Sequence, residues 1–593
     1  MAGGPRTPDI DDHLQRNVPD LVDRRAIVDI DERIDWSGTV LVPINLEQVK
    51  EQARHLVEDV GVDALAVCFL WSHANNEHEL AAEKAIHDIY PGLFITPSHR
   101  VFPIAGETRR WTTAVLNSFV KDHAETYLTS LHEKLREAGL RGGLAFFQGL
   151  GGGISLDKAR QYPLGLLGSG PAGGAIGANE LAKKMGWKRV LLGDMGGTSF
   201  DTGIIVDNEI HIDKNLRLGP FQTGVNIVDV VSIGAGGGSI GWVSERGVPQ
   251  VGPHSAGSTP GPAALDRGGK EPTVTDAMVA LGFIDPDNYL GGRVQLRPEL
   301  SQVALDSVFG ERFGWSTEES AAAMHDLVVV NMANAVREVS VGKGHDPREF
   351  LFLAYGGTLP LFAIQIAERL DISTVIIPQN NSVFCAVGLL STDYAMRSDR
   401  GVHWDMSAPD DVERVNAIID EMVADAITQM ESEGFQRERI ELQRSADIRF
   451  QGQPSELTLA MPARALTPSD ASLIFEEFVD HYERTYGKGT AWKGVPATMI
   501  NYTVSVTGRL DRPSLDRAEG IHRPVVDIVR EHREVFLPAE RHAARIPVID
   551  DTSVVTGVRV DGPAIIDGGD TTIYVPQGTM AERDAYDNFV LTR

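Results

Sequence analysis

Only two cysteines occur in 593 residues, Cys68 and Cys385. Two thiols cannot staple a chain of this length, so a disulfide scaffold is excluded. Both sit in apolar runs and read as buried structural thiols in a reducing compartment. Positive charge is in deficit: 55 basic against 83 acidic side chains leave a formal net charge of −28. A surface of that sign repels nucleic acid and anionic membranes, and neither is expected as a partner. No apolar run approaches the roughly 20 residues a membrane span needs. The first residues, Met1-Ala2-Gly3-Gly4-Pro5-Arg6, hold no apolar signal-like region, so the expected location is cytoplasmic. A Walker-type Gly-Lys-Ser/Thr loop is missing, which removes support for a P-loop enzyme. His73 and His78-Glu79 lack a third ligand at zinc-like spacing and read as solvated or hydrogen-bonded structural residues.

What the chain has in quantity is glycine, 60 residues of it, gathered into turns beside apolar runs. The most informative stretch is 188–206. Val190 to Leu192 deliver Asp194 into Gly196-Gly197-Thr198-Ser199; Asp201 and a second apolar run, Gly203 to Val206, follow. Asp207-Asn208 reads as a hairpin tip, with Glu209 to His211 on its far side. Glycines let backbone N–H groups close around an anion, and a carboxylate can hold Mg²⁺ through water, so the pattern suits a nucleotide phosphate. An ordinary Gly-rich β-turn is the plainer reading.

At 593 residues the chain exceeds one hydrophobic core. Periodicity predicts helices over 112–140, 172–185, 319–339, 361–370 and 410–433. Strands are expected at Ala64 to Leu70, Gly143 to Gln148, Phe350 to Ala354 and Thr374 to Ile377. The pair around Gly356-Gly357-Thr358-Leu359-Pro360 makes a βαβ unit. Residues 251–275, rich in Gly and Pro, read as a long irregular loop. Beyond about 405 the pattern turns to alternating segments such as Ala446 to Phe450 and Ser455 to Ala460, so a β-rich C-terminal domain is expected. Gly168-x-Gly170-x-x-Gly173 matches the dinucleotide fingerprint letter for letter. Against it stand Pro163 in the preceding segment, which cannot donate to a central ladder, and a following hairpin where a crossover helix is required. Glu107, Arg109 and Arg110 could serve an anionic ligand; structural pairing is the commoner role of such charges.

In order, these motifs resemble the actin-like ATPase superfamily. Asp194-Met195-Gly196-Gly197-Thr198 looks like its second phosphate loop, and Gly356-Gly357-Thr358-x-Pro360 like its adenosine-side loop. More narrowly, the chain is similar to the A-type subunit of the hydantoinase/5-oxoprolinase family. The resemblance rests on Gly-Asp194-Met-Gly-Gly-Thr-Ser-x-Asp201, Ser169-Gly-Pro-Ala-Gly-Gly174, Ser232-Ile-Gly-Ala-Gly-Gly-Gly-Ser-Ile240, Val251-Gly-Pro-His-Ser-Ala-Gly257, Pro272-Thr-Val-Thr-Asp-Ala277 and Gly562-Pro-Ala-Ile565.

The resemblance implies an α/β fold of actin-like (ribonuclease H-like) lobes with a β-rich C-terminal domain. It divides the chain into 1–118, the remainder of an N-terminal lobe, a core domain over 119–405, and 406–593. It implies ATP and Mg²⁺ as cofactors and a B-type subunit as partner in an oligomer. The implied reaction is phosphorylation of a carbonyl oxygen that prepares a small cyclic amide for hydrolysis. Asp194 and Asp201 would be catalytic, with Asp194 the metal ligand. Gly196, Gly197, Thr198, Ser199, Gly236, Gly237, Gly238 and Ser239 would hold phosphates, and Gly356 and Gly357 the adenosine side. A ketone substrate carboxylated as by acetone or acetophenone carboxylases fits the same motifs. The chain contains no Asp-x-Gly-Gly-Thr-Phe-Thr-Asp first phosphate loop, which leaves a non-catalytic scaffold as the reading outside the enzymes.

Overall fold

A computed structural model describes residues 20–214, 216–453, 455–492, 494–511 and 528–593. They fall into two compact units, each assembled from separated stretches of chain. None of the described helices is long and apolar enough to cross a membrane.

The second unit comprises 170–212, 228–392 and 512–593. Its centre is a nine-stranded mixed sheet. The strands that matter here are β1 (Arg189–Met195), β2 (Phe200–Val206), β3 (Leu351–Tyr355) and β4 (Thr374–Ile377). Val190, Leu191 and Leu192 are almost fully buried. That continuous apolar run is what a strand covered on both faces requires. β1 pairs antiparallel with β2 and parallel with β3, which pairs parallel with β4. The expected βαβ unit is therefore present. Phe589–Thr592 adds antiparallel to β4, carrying the end of the chain into this sheet. Met580–Arg583 and Arg559–Asp561 extend the same sheet beyond it, and Val529–Leu537, His542–Asp550, Ala564–Asp567 and Thr572–Val575 form a four-stranded sheet of their own, so this region is β-rich. Three helices bear on the site: α1 (Ser169–Met185), α2 (Thr317–Val339) and α3 (Phe384–Leu390). A Ser316 capping box starts α2, whose Val328, Met332 and Val336 enter the core.

The stretch expected to be irregular, 251–275, is only partly so. Pro249–Ser255 is a strand paired with Ser239–Val243. Its Gly and Pro content disguises one strand of a two-stranded sheet, where missing donors are tolerated.

The first unit comprises 1–169, 213–227 and 393–511. Its six-stranded sheet runs Leu457–Ala460, Ile440–Phe450, Ala497–Gly508, Tyr394–Asp405, Gly153–Ser155, Ala145–Phe147. Side chains alternate across it. Ala446, Ile448, Tyr502 and Val504 build an apolar core with the helices Val412–Ser432 and Asp470–Tyr486. On the opposite parity the register sets Asp399 against Thr503, and Asp447 against Asn501 and Thr458. A parallel pair, Ala64–Val67 with Phe94–Pro97, lies nearer the N-terminus. There Glu79, fully buried, accepts from the Phe69 N–H, the Ser98 hydroxyl and the His99 N–H, and pairs with His99 Nδ1. His78 Nδ1 lies 2.8 Å from Glu32. These residues are hydrogen-bonded structural groups, the plainer of the two readings.

Candidate functional site

The β1–β2 hairpin places Asp194 directly opposite Asp201. Residues paired in this way have Cβ atoms roughly 5 Å apart on one face. At the hairpin's far end Asp207 and Asn208 take φ of 52° and 64°, the left-handed pair a two-residue turn into Glu209–Ile210 demands. Two like charges at ~5 Å repel by on the order of 3 kcal/mol at an effective dielectric of about 20. The hairpin keeps them together regardless.

Burial pushes the carboxyl of Asp194 above its usual range. A hydrogen bond from the Cys385 thiol, Sγ to Oδ2 at 3.0 Å, works against that shift, and the charge of Asp201 adds to it. Asp201 is pushed up by the same desolvation, opposed by the hydroxyls of Ser232 and Ser199. Ser199 donates to its Oδ2 at 3.3 Å. Its Oδ1 is buried and receives no hydrogen bond from the described residues. A desolvated carboxylate pair with one orphaned oxygen is short of a cation.

Between the two strands, Gly196, Gly197 and Thr198 are exposed and Ser199 half-buried. Among the described residues, no protein acceptor receives their four N–H groups. A run of unsatisfied N–H groups beside a carboxylate pair is a cradle for a phosphate and its metal ion. No cluster of three or more His, Cys, Asp or Glu able to hold a metal occurs among the described residues. That donor set excludes an all-protein cage and fits Mg²⁺, which keeps its waters and borrows phosphate oxygens.

The second glycine turn, Gly236 to Ser239, meets this loop backbone to backbone. Gly237 N donates to Gly196 O at 2.9 Å and Gly238 N to Gly197 O at 2.6 Å. A Cβ on Gly236 would lie 2.5 Å from Thr198 N. The Gly236 N–H goes to Ser239 Oγ and the Ser239 N–H to Gly236 O. All four N–H groups are thus engaged within the protein, and the turn braces the first loop from behind. Ser239 falls in a Gly237-x-Ser239-x-Gly241 pattern that resembles a nucleophile elbow by its letters alone. It is fully buried, donates to Gly234 O and opens a strand, so it has no nucleophile's exposure.

Gly356 follows β3 with φ of 82°, where a Cβ would lie 2.3 Å from Asp194 Oδ1. Its N–H donates to Asn381 O at 2.8 Å, and Thr358 N donates to Met195 O. Asn381 Nδ2 reaches Thr571 Oγ1 at 3.0 Å, and Gly357 lies against the Asp570 carbonyl. The structure therefore brings 194–201, 236–239 and 356–357 into one place in the second unit.

Sequence reasoning missed Cys385, Ser232 and Asn381. Cys385, expected as an inert core thiol, instead touches Asp194. Its thiol is itself held in the protonated form by burial and the Asp194 charge. The only local signal was its position just after β4, in the next turn of a βαβ-like succession. Of the fingerprint glycines Gly173 has a packing role, shared with Gly177 one turn on. Cβ atoms on Gly173 and Gly177 would lie 2.8 Å from Cys385 O and 2.9 Å from Gly388 Cα. Helices α1 and α3 thus approach at backbone distance.

Family models described as hydantoinase/oxoprolinase match residues 110–398, with its N-terminal region matching 2–90 and its C-terminal domain 405–593. The caprolactamase alpha subunit of Pseudomonas jessenii is 30% identical over 96% of this chain and 82% of its own length. The chain belongs to the hydantoinase/oxoprolinase family. Within that family, the acetophenone carboxylase gamma subunit of Aromatoleum aromaticum is also 30% identical, across 94% of this chain and 77% of that one. The nucleotide-free structure of acetone carboxylase, from work on ATP-dependent acetone carboxylation, superposes with a TM-score of 0.84 at 26% identity. It covers 97% of this chain and 82% of that one. The expected mixed α/β fold of this family is the fold observed.

Proposed function

We propose that this chain is the A-type subunit of a cytoplasmic, ATP-dependent enzyme that activates a carbonyl oxygen of a small cyclic amide for hydrolysis. It would work in an oligomer with a B-type subunit. The observation that carries the reading is the Asp194–Asp201 pair, with its orphaned oxygen, beside four unengaged N–H groups. Asp194 and Asp201 would hold Mg²⁺ and order its water. The N–H groups of Gly196 to Ser199 would receive phosphate oxygens, braced by Gly236 to Ser239. Gly356 and Gly357 would border the adenosine. The bound nucleotide supplies a phosphoryl group that turns a poor amide electrophile into one with a leaving group. The chain's own part is to position and to neutralise charge, which is most of what such transfers need.

Calorimetric titration of the full chain with ATP and Mg²⁺ tests this. Saturable binding, lost by at least tenfold in Asp194→Ala, is the expected result; equal binding by both refutes the site. The likeness to acetone carboxylase favours a second reading, carboxylation of a ketone. Phosphate release with a B-type partner that requires a ketone and bicarbonate would select it over the cyclic-amide reaction. Nucleotide binding without turnover on either substrate class, partner present, would select the scaffold.

A further inference from the structure

The first unit holds a cavity of about 750 Å³ that the phosphate-loop reading does not use. That volume lies within the range of small-molecule sites. Part of its wall is the polar side of the six-stranded sheet, and the cavity is rich in charge. Most of these charges cancel in place: Arg100 pairs with Glu83, Arg397 with Asp399, and Lys214 with Asp447.

Arg109 does not. It is half-buried, with Nε and Nη2 donating to the main-chain carbonyls of Thr223 and Lys214 at 3.2 and 2.6 Å. Its guanidinium carbon lies 5.0 Å from the centre of the Phe102 ring. Among the described residues no carboxylate is within ion-pairing distance of it. Burial draws its pKa down, against the charges of Glu456, Asp213 and Asp447, of which Glu456 opposes it most. Glu456 is half-buried, lines the same cavity and makes no ion pair of its own among the described residues. The cavity thus offers, beside Lys158 and Asp425, a cation held by two carbonyls and a separate carboxylate, neither of them ion-paired among the described residues. A bidentate-capable guanidinium selects carboxylates and similar anions.

We propose that this cavity binds a small amino acid-like zwitterion, its carboxylate received by Arg109 and its ammonium by Glu456. Opening an amide C–N bond with water leaves a carboxylate and an amine on one molecule, so this ligand class is also what the proposed reaction releases. The binding claim does not rest on that reaction, because its test contains no nucleotide.

The experiment is calorimetric titration of the full chain with 5-aminopentanoate, alongside pentanoate and 5-aminopentan-1-ol, each lacking one charge. Saturable binding of 5-aminopentanoate is expected, at least tenfold tighter than either analogue. Arg109→Gln should weaken it by at least tenfold, and Glu456→Gln should weaken 5-aminopentanoate without weakening pentanoate. Circular dichroism reports whether Arg109→Gln folds, since that side chain also ties down two carbonyls. If it does not, the wild-type analogue series and Glu456→Gln decide alone. Absence of saturable binding, equal binding of the three compounds, or a Glu456→Gln protein that binds all three like wild type would overturn the proposal.

Discussion

Replacing Gly356 with alanine tests how tightly the adenosine-side turn is fitted to the acid pair. Two costs add at this position. Its φ of 82° is left-handed, which costs a residue with a Cβ roughly 1–2 kcal/mol. The new carbon would also stand 2.3 Å from Asp194 Oδ1 and 2.5 Å from Met195 O, and forced overpacking of this kind costs roughly 1–3 kcal/mol. The sum, about 2–5 kcal/mol, should fall on β1, which carries the contacting groups, and on β3, which Gly356 directly follows. Two sister substitutions separate the terms. Gly257→Ala has φ of 61° with no atom within 4 Å, so it should show only the backbone cost of about 1–2 kcal/mol. Gly357→Ala has ordinary φ and its nearest neighbour, Asp570 O, at 3.5 Å; it should be close to neutral. Urea titration read by hydrogen exchange of β1 and β3 peptides reports the loss in the second unit itself. The ranking Gly356, Gly257, Gly357 is expected. A Gly356→Ala protein no less stable than Gly357→Ala would refute the fit described here, and with it the claim that this turn positions Asp194.

Two further substitutions probe the same neighbourhood. Gly388→Ala would put a Cβ 1.8 Å from Gly173 O, forcing α1 and α3 apart at a cost of ~3 kcal/mol; a urea midpoint equal to wild type would show that the glycines serve something other than helix contact. Asp201→Asn should stabilise the second unit at pH 7. The folded pKa of Asp201 lies above its usual 3.8, so the folded chain binds the extra proton between the two values. Its contribution to stability is therefore lost as pH rises through the folded pKa. The advantage of Asp201→Asn should fade as pH falls through that folded pKa and be gone below 3.8, while Mg²⁺-dependent ATP binding at pH 7 weakens; destabilisation at pH 7 with a gain on acidification would reverse the argument.

Much of the second unit was legible because its signals are local. Val190 to Leu192, the turn at Gly196 and the tip at Asp207-Asn208 each declare themselves within a few residues, and the hairpin follows from their order. The register that faces Asp194 with Asp201 follows too, because the turn length fixes it. Pairing between distant strands carries no such mark. Nothing near Ala446 to Phe450 tells that it joins Ala497–Gly508, or near Phe589 that it joins β4. Pro249–Ser255 went unread for a different reason. Its composition is that of a loop, and only its partner across the ladder, Ser239–Val243, makes it a strand.

The site itself shows why a glycine pattern is a question and not an answer. Glycine is selected for at least three physical reasons, and the sequence spells all of them alike. At Gly196 and Gly197 it leaves exposed N–H groups without protein acceptors. At Gly356 it permits a positive φ and a contact on Asp194 that no Cβ survives. At Gly173, Gly177, Gly236 and Gly388 it lets one stretch of backbone touch another. Gly196 to Ser199 and Gly236 to Ser239 therefore read as equivalent phosphate loops, yet the hydrogen bonds separate them: one loop's donors are unengaged, and the other's are spent on bracing it. The dinucleotide fingerprint misleads for the same reason, since α3, which its helix α1 meets, begins about two hundred residues later in the chain. Cys385, at the start of that same α3, shows the converse. Chemistry-bearing residues can hide in an apolar run when the fold delivers them to a carboxylate from afar, and no spacing along the chain announces them.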